Sequence, residues 1–550
     1  MKRMLLAGVA AWFVLASNPA CAAEIAPDKI AGHIKILASD AFEGRGPATP
    51  AEAKTVQYIT EQFQAAGLAP GGELKDGKRL WTQDVPLAKF EITGPIAISA
   101  KAGGQVQAWS QGEQVALRAA ETGTRHVSIK DAPVVFVGYG VTAPERNWDD
   151  FKGVDLKGKV ALVLVNDPDF ESGQGDFGGK AMTYYGRWTY KFEEAARRGA
   201  IGFLVIHETA PAAYGWATVK NSNTNAIFDI IRAQPSQAHA PLEGWIQRDV
   251  AVGLFKSAGL DFEALKAKAA TRGFTPVALN GVSLSADYAV DSQKIVTRNV
   301  IGMVRGTKRP DEIVIYTAHW DHLGVGQPDA RGDRIYNGAV DNASGVALLI
   351  EIGRAFAAAP RPERSVVFLS VTAEEKGLLG SEYYADKPLY PLALTVADLN
   401  MDGISTAGPA RDFSTSGDAP LTLQDDLVAV AQAHGKRHSP DPRPGAGSFF
   451  RSDHFSFAKR GVPALSFKAG QDLVNGGQAR GEALDAAYVA DRYHQPADEY
   501  SPDWNFDGAV QDGEILFDLG EKLANSDEWP SWKPGSEFKA ERDKSAAARK

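Results

Sequence analysis

The sequence holds a single cysteine, Cys21, among 550 residues. That excludes a disulfide framework and any metal site built from several thiolates. Positive charge is also scarce: 59 Lys and Arg stand against 68 Asp and Glu, a formal net charge of −9. A nucleic-acid partner therefore has no electrostatic support. No stretch reaches the ~18 consecutive apolar residues of a membrane-crossing helix. Internal repeats and long low-complexity linkers are missing too. What is there is an ordinary mixture, 44% hydrophobic and 23% charged. The length suits about three domains of ~150 residues, and a core of that size needs no covalent staple.

The start reads MKRMLLAGVAAWFVLASNPACAAE. Lys2 and Arg3 make a positive n-region and Met4 to Ala16 an apolar h-region. Ala20-Cys21-Ala22 fits a small-x-small cleavage site. This order predicts a cleavable signal peptide over residues 1–22 and a periplasmic or secreted protein. Cleavage would remove Cys21, so the mature chain would carry no thiol and no membrane span.

Further along, TPAEAKTVQYITEQFQAAGLAPGG predicts a helix. Val56, Ile59 and Phe63 fall at helical spacing, Gly67 caps it and Pro70 stops it. Residues 83–130 show short alternating runs with glycines, which predicts β structure. A compact α/β pattern follows: APVVFVGYG, GKVALVLVN, the helical KFEEAARRGA, and IGFLVIHE. Short apolar runs bounded by glycine fit strands buried on both faces. After about residue 285 a second series begins with NVIGMV and DEIVIYTAHW. It continues with a helix over 344–358, RSVVFLSVTAEE and TVADLNMDG. Strands alternating with helices predict a mostly parallel mixed sheet sandwiched by helices. The polar stretch GSEFKAERDKSAAARK reads as a solvated tail.

In the second series, polar residues gather just past the carboxyl ends of predicted strands, where open α/β sheets bind ligands. They are His319 and Asp321, then Glu374 and Glu375, then Asp402. Loops add Asp341 and His494. Imidazole and carboxylate donors suit zinc, and two metals a few ångströms apart need a shared carboxylate. His319, Asp341, Glu375, Asp402 and His494 offer such a set, leaving Glu374 for proton transfer. Asp321, two residues after His319, is placed to accept the imidazole's other N–H. Asp453 and His454 lie in a further polar turn. Arg187 and Trp188, in MTYYGRWTYKFEE, are candidates for a substrate surface or for packing.

The segments TAHWDHLG, NGAVDNASGVA, TAEEKGLLGSEYY, LNMDG, FFRSDHFSFAKRGVPAL and RYHQPADEY resemble, in order, the motifs of the M28 family of zinc metallopeptidases. LASDAFEGRG…AAGLAP is similar to that family's opening segment. The pattern near 131–260 looks like the protease-associated domain inserted in many members. The resemblance implies a zinc exopeptidase fold divided in five. Residues 1–22 are the signal peptide and 23–130 the N-terminal part of the peptidase domain with a β-rich lead-in. Residues 131–260 are the inserted, smaller, β-rich α/β domain, 285–530 the main peptidase part, and 531–550 a polar tail.

It also implies two Zn²⁺ per chain. His319 and Asp402 would bind one ion, Glu375 and His494 the other, with Asp341 bridging and Glu374 as general base. The peptide bond after the bridging aspartate is often cis in the family. Some relatives place a tyrosine just before Ser-Asp-His. Here Phe449, Phe450 and Arg451 stand there, so either His454 or a tyrosine elsewhere assists the oxyanion, or the metals act alone. The activity implied is peptide hydrolysis, aminopeptidase first and carboxypeptidase second. A glutaminyl cyclase or a non-catalytic binding protein is more remote.

Two tempting motifs are set aside. Arg331-Gly332-Asp333 reads as turn chemistry. The sequon at Asn342 adjoins the bridging position.

Overall fold

The computed structural model describes residues 24–549, apart from 121, 233, 235–237, 327 and 418. The expected signal peptide lies outside the described residues. Sixteen strands join in one sheet. Two long antiparallel strands, Thr82–Ala102 and Val277–Val304, run through its middle, paired from Ser283↔Lys101 to Val300↔Thr82.

On one side of this ribbon, Val300–Val304 pairs with Arg364–Val371. Arg309–His319, Thr395–Met401 and Ala464–Ala469 follow in parallel. All four strands are almost wholly buried, which explains why they read as continuous apolar runs. Tyr316 packs on Phe356 of the helix Gly345–Ala358 and donates to Leu516 O of the helix Asp507–Asn525. Its neighbour Thr317 turns to the opposite face, toward Asp398 and Asn400. Helices therefore cover both faces.

On the other side the ribbon continues into His126–Phe136, then Val160–Leu164, Gly202–His207 and Leu242–Gln247 in parallel. The expected helix at KFEEAARRGA is present as Trp188–Arg197. This second unit is wider than the 131–260 read from the sequence. Its core runs from Ala88 and Phe90 to Tyr288 and Val290, so part of the lead-in and both ribbon strands belong to it. Strand continuity across two cores leaves no loop or composition change to mark the boundary.

The helix over Pro50–Ala65 forms as expected, with Ile59 and Phe63 fully buried and Gly67 left-handed at φ 86°. The last twenty residues are not a free tail. Trp532 and Phe538 are buried, and Arg542 donates to Thr395 O at 2.8 Å. Phe538 packs on Phe449 and Phe455. A polar average hid two aromatic anchors. No helix among the described residues is long and apolar enough to cross a membrane.

Candidate metal centre

Three neighbouring strands deliver the site to one edge. His319 ends its strand beside Val371. Glu374 and Glu375 follow Val371 after a left-handed Ala373, φ 53°, and Asp402 follows Met401. Asp341 comes from the turn before the helix Gly345–Ala358, and its peptide bond to Asn342 is cis, as the resemblance implied. The turn needs Gly338, left-handed at φ 57°. A Cβ there would lie 2.2 Å from Asp341 O and 2.5 Å from the His322 ring.

Asp341 sits at the centre. One of its oxygens, Oδ1, lies 3.2 Å from His319 Nε2, and the other, Oδ2, lies 3.3 Å from His494 Nε2. His319 Nε2 is also 3.4 Å from Asp402 Oδ1, and His494 Nε2 is 3.2 Å from Glu375 Oε2. Donors about 2.0–2.2 Å from one tetrahedral zinc lie about 3.3 Å apart. The four separations are of that size, and Asp341 turns one oxygen toward each histidine. Glu374 stays outside both pairs, its Oε2 4.0 Å from His319 Nε2.

Carboxylates outnumber cations here, an excess that a divalent ion would neutralise. Burial pushes Glu374 well above the usual carboxylate range. His319 opposes that shift, while Glu375, Asp402 and Asp453 add to it. Burial alone would raise Glu375, but His322 and His494 outweigh it and hold the group well below. For His494, burial disfavours the charged ring, yet Glu375 and Asp341 prevail and lift it to about 10.

Asp321 behaves differently from the expectation. The ring atom Nδ1 of His319 faces the Asp321 backbone carbonyl at 3.1 Å, with the carboxylate at 3.8 Å. That carboxylate instead accepts the N–H groups of Glu374 and Glu375, at 3.0 and 3.3 Å. Two amide donors outcompete one ring nitrogen for its oxygens.

Sequence reasoning missed three residues inside the quoted motifs. Asp498, in RYHQPADEY, accepts from Val340 N and Asp341 N at 3.1 Å. His322, in TAHWDHLG, is fully buried with Nδ1 2.6 Å from Glu375 Oε1, off the direction of a hydrogen bond. That spacing is too short for two ligands of one zinc. Arg45, in FEGRG, lies buried behind both loops.

The remaining candidates divide. Asp453 accepts from Ser381 Oγ at 2.6 Å. His454 is buried edge-on to Phe449, and neither ring nitrogen has a hydrogen-bond partner. Trp188 packs against Phe192 and Trp245 inside the second unit and is part of its core, away from the metal ligands. Arg187 has no carboxylate within ion-pair range among the described residues, and its charge is felt by Arg451, Tyr214 and Tyr184. Tyr493 stacks on His494 with ring centres 3.9 Å apart. Burial first, then Asp341, Glu375, Glu374 and Asp402, raise its phenol. Asn342 of the sequon is buried and bonded to Met401 O, and Arg331 and Asp333 close a turn on Asp329.

Histidine and carboxylate donors converging on the carboxyl edge of a helix-sandwiched sheet define an α/β fold with a candidate two-metal centre. Residues 299–517 match the model of Peptidase family M28. Among curated relatives, a "Probable zinc metalloprotease" of Pyricularia oryzae is 28% identical over 233 residues, 40% of this chain and 45% of that protein. A "Probable glutamate carboxypeptidase" of Arthroderma benhamiae is 28% identical over 270 residues, 45% of this chain and 33% of that protein. The chain thus spans less than half the length of these relatives. Among solved structures, an aminopeptidase from Aneurinibacillus sp. strain AM-1 aligns over 92% of this chain and 96% of its own. The identity is 19% and the TM-score 0.49.

Proposed function

We propose that the chain is an exported two-zinc exopeptidase that releases N-terminal residues from peptides. The observation that carries this reading is Asp341, which turns one oxygen toward His319 and the other toward His494. His319, Asp402 and Asp341 would hold one zinc, and Glu375, His494 and Asp341 the other. Zinc supplies Lewis-acid polarisation of the scissile carbonyl and an acidified water. Glu374 takes a proton from the attacking water and returns it to the leaving amine. Its burial favours a group that can hold that proton between the two steps. Asp321 fixes the Glu374–Glu375 turn through two backbone amides. Tyr493, stacked on His494, offers the phenol that the segment before Ser452 lacks.

The second unit is read as a protease-associated domain. Its Lys191 helix meets the peptidase part where Glu193 accepts from Lys459 Nζ at 2.9 Å. Arg187 and Arg451 lie near one another and around Tyr214 at this junction, and neither has a carboxylate within ion-pair range among the described residues. Paired guanidinium groups recognise carboxylates bidentately, which favours a second reading, a carboxypeptidase gripping the free C-terminus. Export rests on the n-, h- and cleavage regions of residues 1–22, and the mature N-terminus measured by mass spectrometry tests it.

A panel of peptides blocked at either end, assayed with chelator and with added zinc, tests the function. Turnover that needs a free amine and two zincs per chain supports the first reading. Turnover that needs a free carboxylate supports the second. Activity that survives chelation overturns both.

A further inference from the structure

Arg45 is fully buried behind the metal-ligating side chains, yet no carboxylate touches its guanidinium among the described residues. It donates to four backbone carbonyls instead. Nε reaches Trp320 O at 2.8 Å, and Nη1 reaches Leu37 O at 2.8 Å and Asn337 O at 2.6 Å. Nη2 reaches Gly338 O at 2.8 Å. Trp320 directly follows His319, while Asn337 and Gly338 open the turn that leads to Asp341. One planar group thus spans the two segments that supply the separated ligands of a single metal position. It also ties both to the helix Pro27–Leu37.

The local chain is built to deliver this side chain. Glu43, Gly44 and Arg45 are all left-handed, at φ 46°, 65° and 49°. A Cβ on Gly44 would lie 2.5 Å from Tyr336 O and 2.6 Å from Gly324 O. The Arg45 carbonyl receives His322 N at 3.3 Å, and Asn337 Nδ2 donates to Ala38 O and Asp40 Oδ1 at 2.9 and 3.0 Å. A buried cation without a contacting counter-ion is costly unless its surroundings compensate. The carboxylates whose charge favours the guanidinium against its burial are Asp498, Asp341, Asp321 and Glu375, all of them part of the metal centre or its supports.

We propose that Arg45 is a positioning residue for the metal centre, fixing the spacing between His319 and Asp341 and with it the affinity for the zinc they share. The proposal rests on the two-zinc reading. Lysine would preserve the charge, but its point-like ammonium lacks the planar fork that reaches both loops.

The test compares wild type and Arg45→Lys by zinc content after dialysis against graded chelator, and by melting temperature with and without zinc. Ligand binding to the folded state raises the melting temperature by an amount that grows with the logarithm of its affinity, so a merely structural role would lower both melting temperatures equally. The expected result is that wild type keeps two zincs where Arg45→Lys keeps one. The shared zinc should bind about tenfold or more weakly, with a smaller zinc-induced rise in melting temperature. Should Arg45→Lys not fold, Asp40→Ala carries the test. It removes the exposed carboxylate that anchors Asn337 beside the clamp, and the same direction is expected with smaller size. An unchanged zinc increment in the folded variant overturns the proposal. A wild type that binds fewer than two zincs overturns the two-zinc reading instead.

Discussion

The carboxylate of Asp321 receives the backbone N–H of Glu374 at 3.0 Å and, through its other oxygen, that of Glu375 at 3.3 Å. One side chain thereby sets the pitch of two adjacent glutamates proposed to have different tasks. Asp321→Ala frees both amides, and supports of this kind are typically worth about 10–100-fold in metal affinity or activity. Steady-state kinetics at saturating zinc, alongside metal analysis, should show a loss in that range.

Glu374→Gln keeps the shape of the side chain and removes its ability to take a proton. Turnover should fall by at least ~100-fold, with zinc content unchanged by elemental analysis. A variant that retains wild-type turnover would remove Glu374 from the proton-transfer role.

Arg187 and Arg451 separate the two readings of the terminus. If they hold a substrate carboxylate, Arg187→Ala and Arg451→Ala should each raise KM about tenfold, the size of one lost charge-assisted hydrogen bond. The effect should vanish for peptides amidated at the C-terminus. Equal effects on free and amidated peptides would point to packing.

Glu193 and Lys459 join the second unit to the peptidase part at 2.9 Å, and Tyr184 also donates to Glu193. Burial alone would raise the Glu193 carboxyl, but Lys459 and Tyr184 outweigh it and bring the group down to about 2. A depressed carboxyl stabilises the fold above its unfolded value of ~4.5 and loses that contribution as pH falls toward ~2. Denaturant titrations of Lys459→Met should therefore show a deficit that is constant above pH ~4.5 and shrinks below it.

Much of this centre was legible in the residues because chemistry and position coincided. His319, Glu374, Glu375 and Asp402 each follow a buried apolar run, and a strand end is readable from one sequence. Asp341 and His494 could be named as loop candidates from their residue type, but how they divide between metal positions came from the motif resemblance, since nothing local says that two loops meet. Asp498 and Arg45 act on backbone groups brought close only by the fold, so their partners left no mark beside them. Trp188 was left open between packing and a substrate surface, because an aromatic next to an arginine looks the same in a core as at a cleft, and the structure packs it. The C-terminal stretch was misread for a related reason. Its charge dominates the average, while Trp532 and Phe538, which do the packing, are only two residues among many polar ones.

The strand Val277–Val304 pairs with the peptidase sheet at one end and with the second core at the other. The two units are therefore grown around a common beam, and neither can be cut free without stripping a partner from the remaining sheet. A fragment trimmed to residues 299–517 would keep Val300–Val304 on Arg364–Val371 but strip it of Ala69–Pro70 and of the ribbon strand Thr82–Ala102, leaving an unpaired edge of the kind that recruits other chains. In evolutionary terms the loops of the second unit can vary, while the two ribbon strands that both cores share stay fixed.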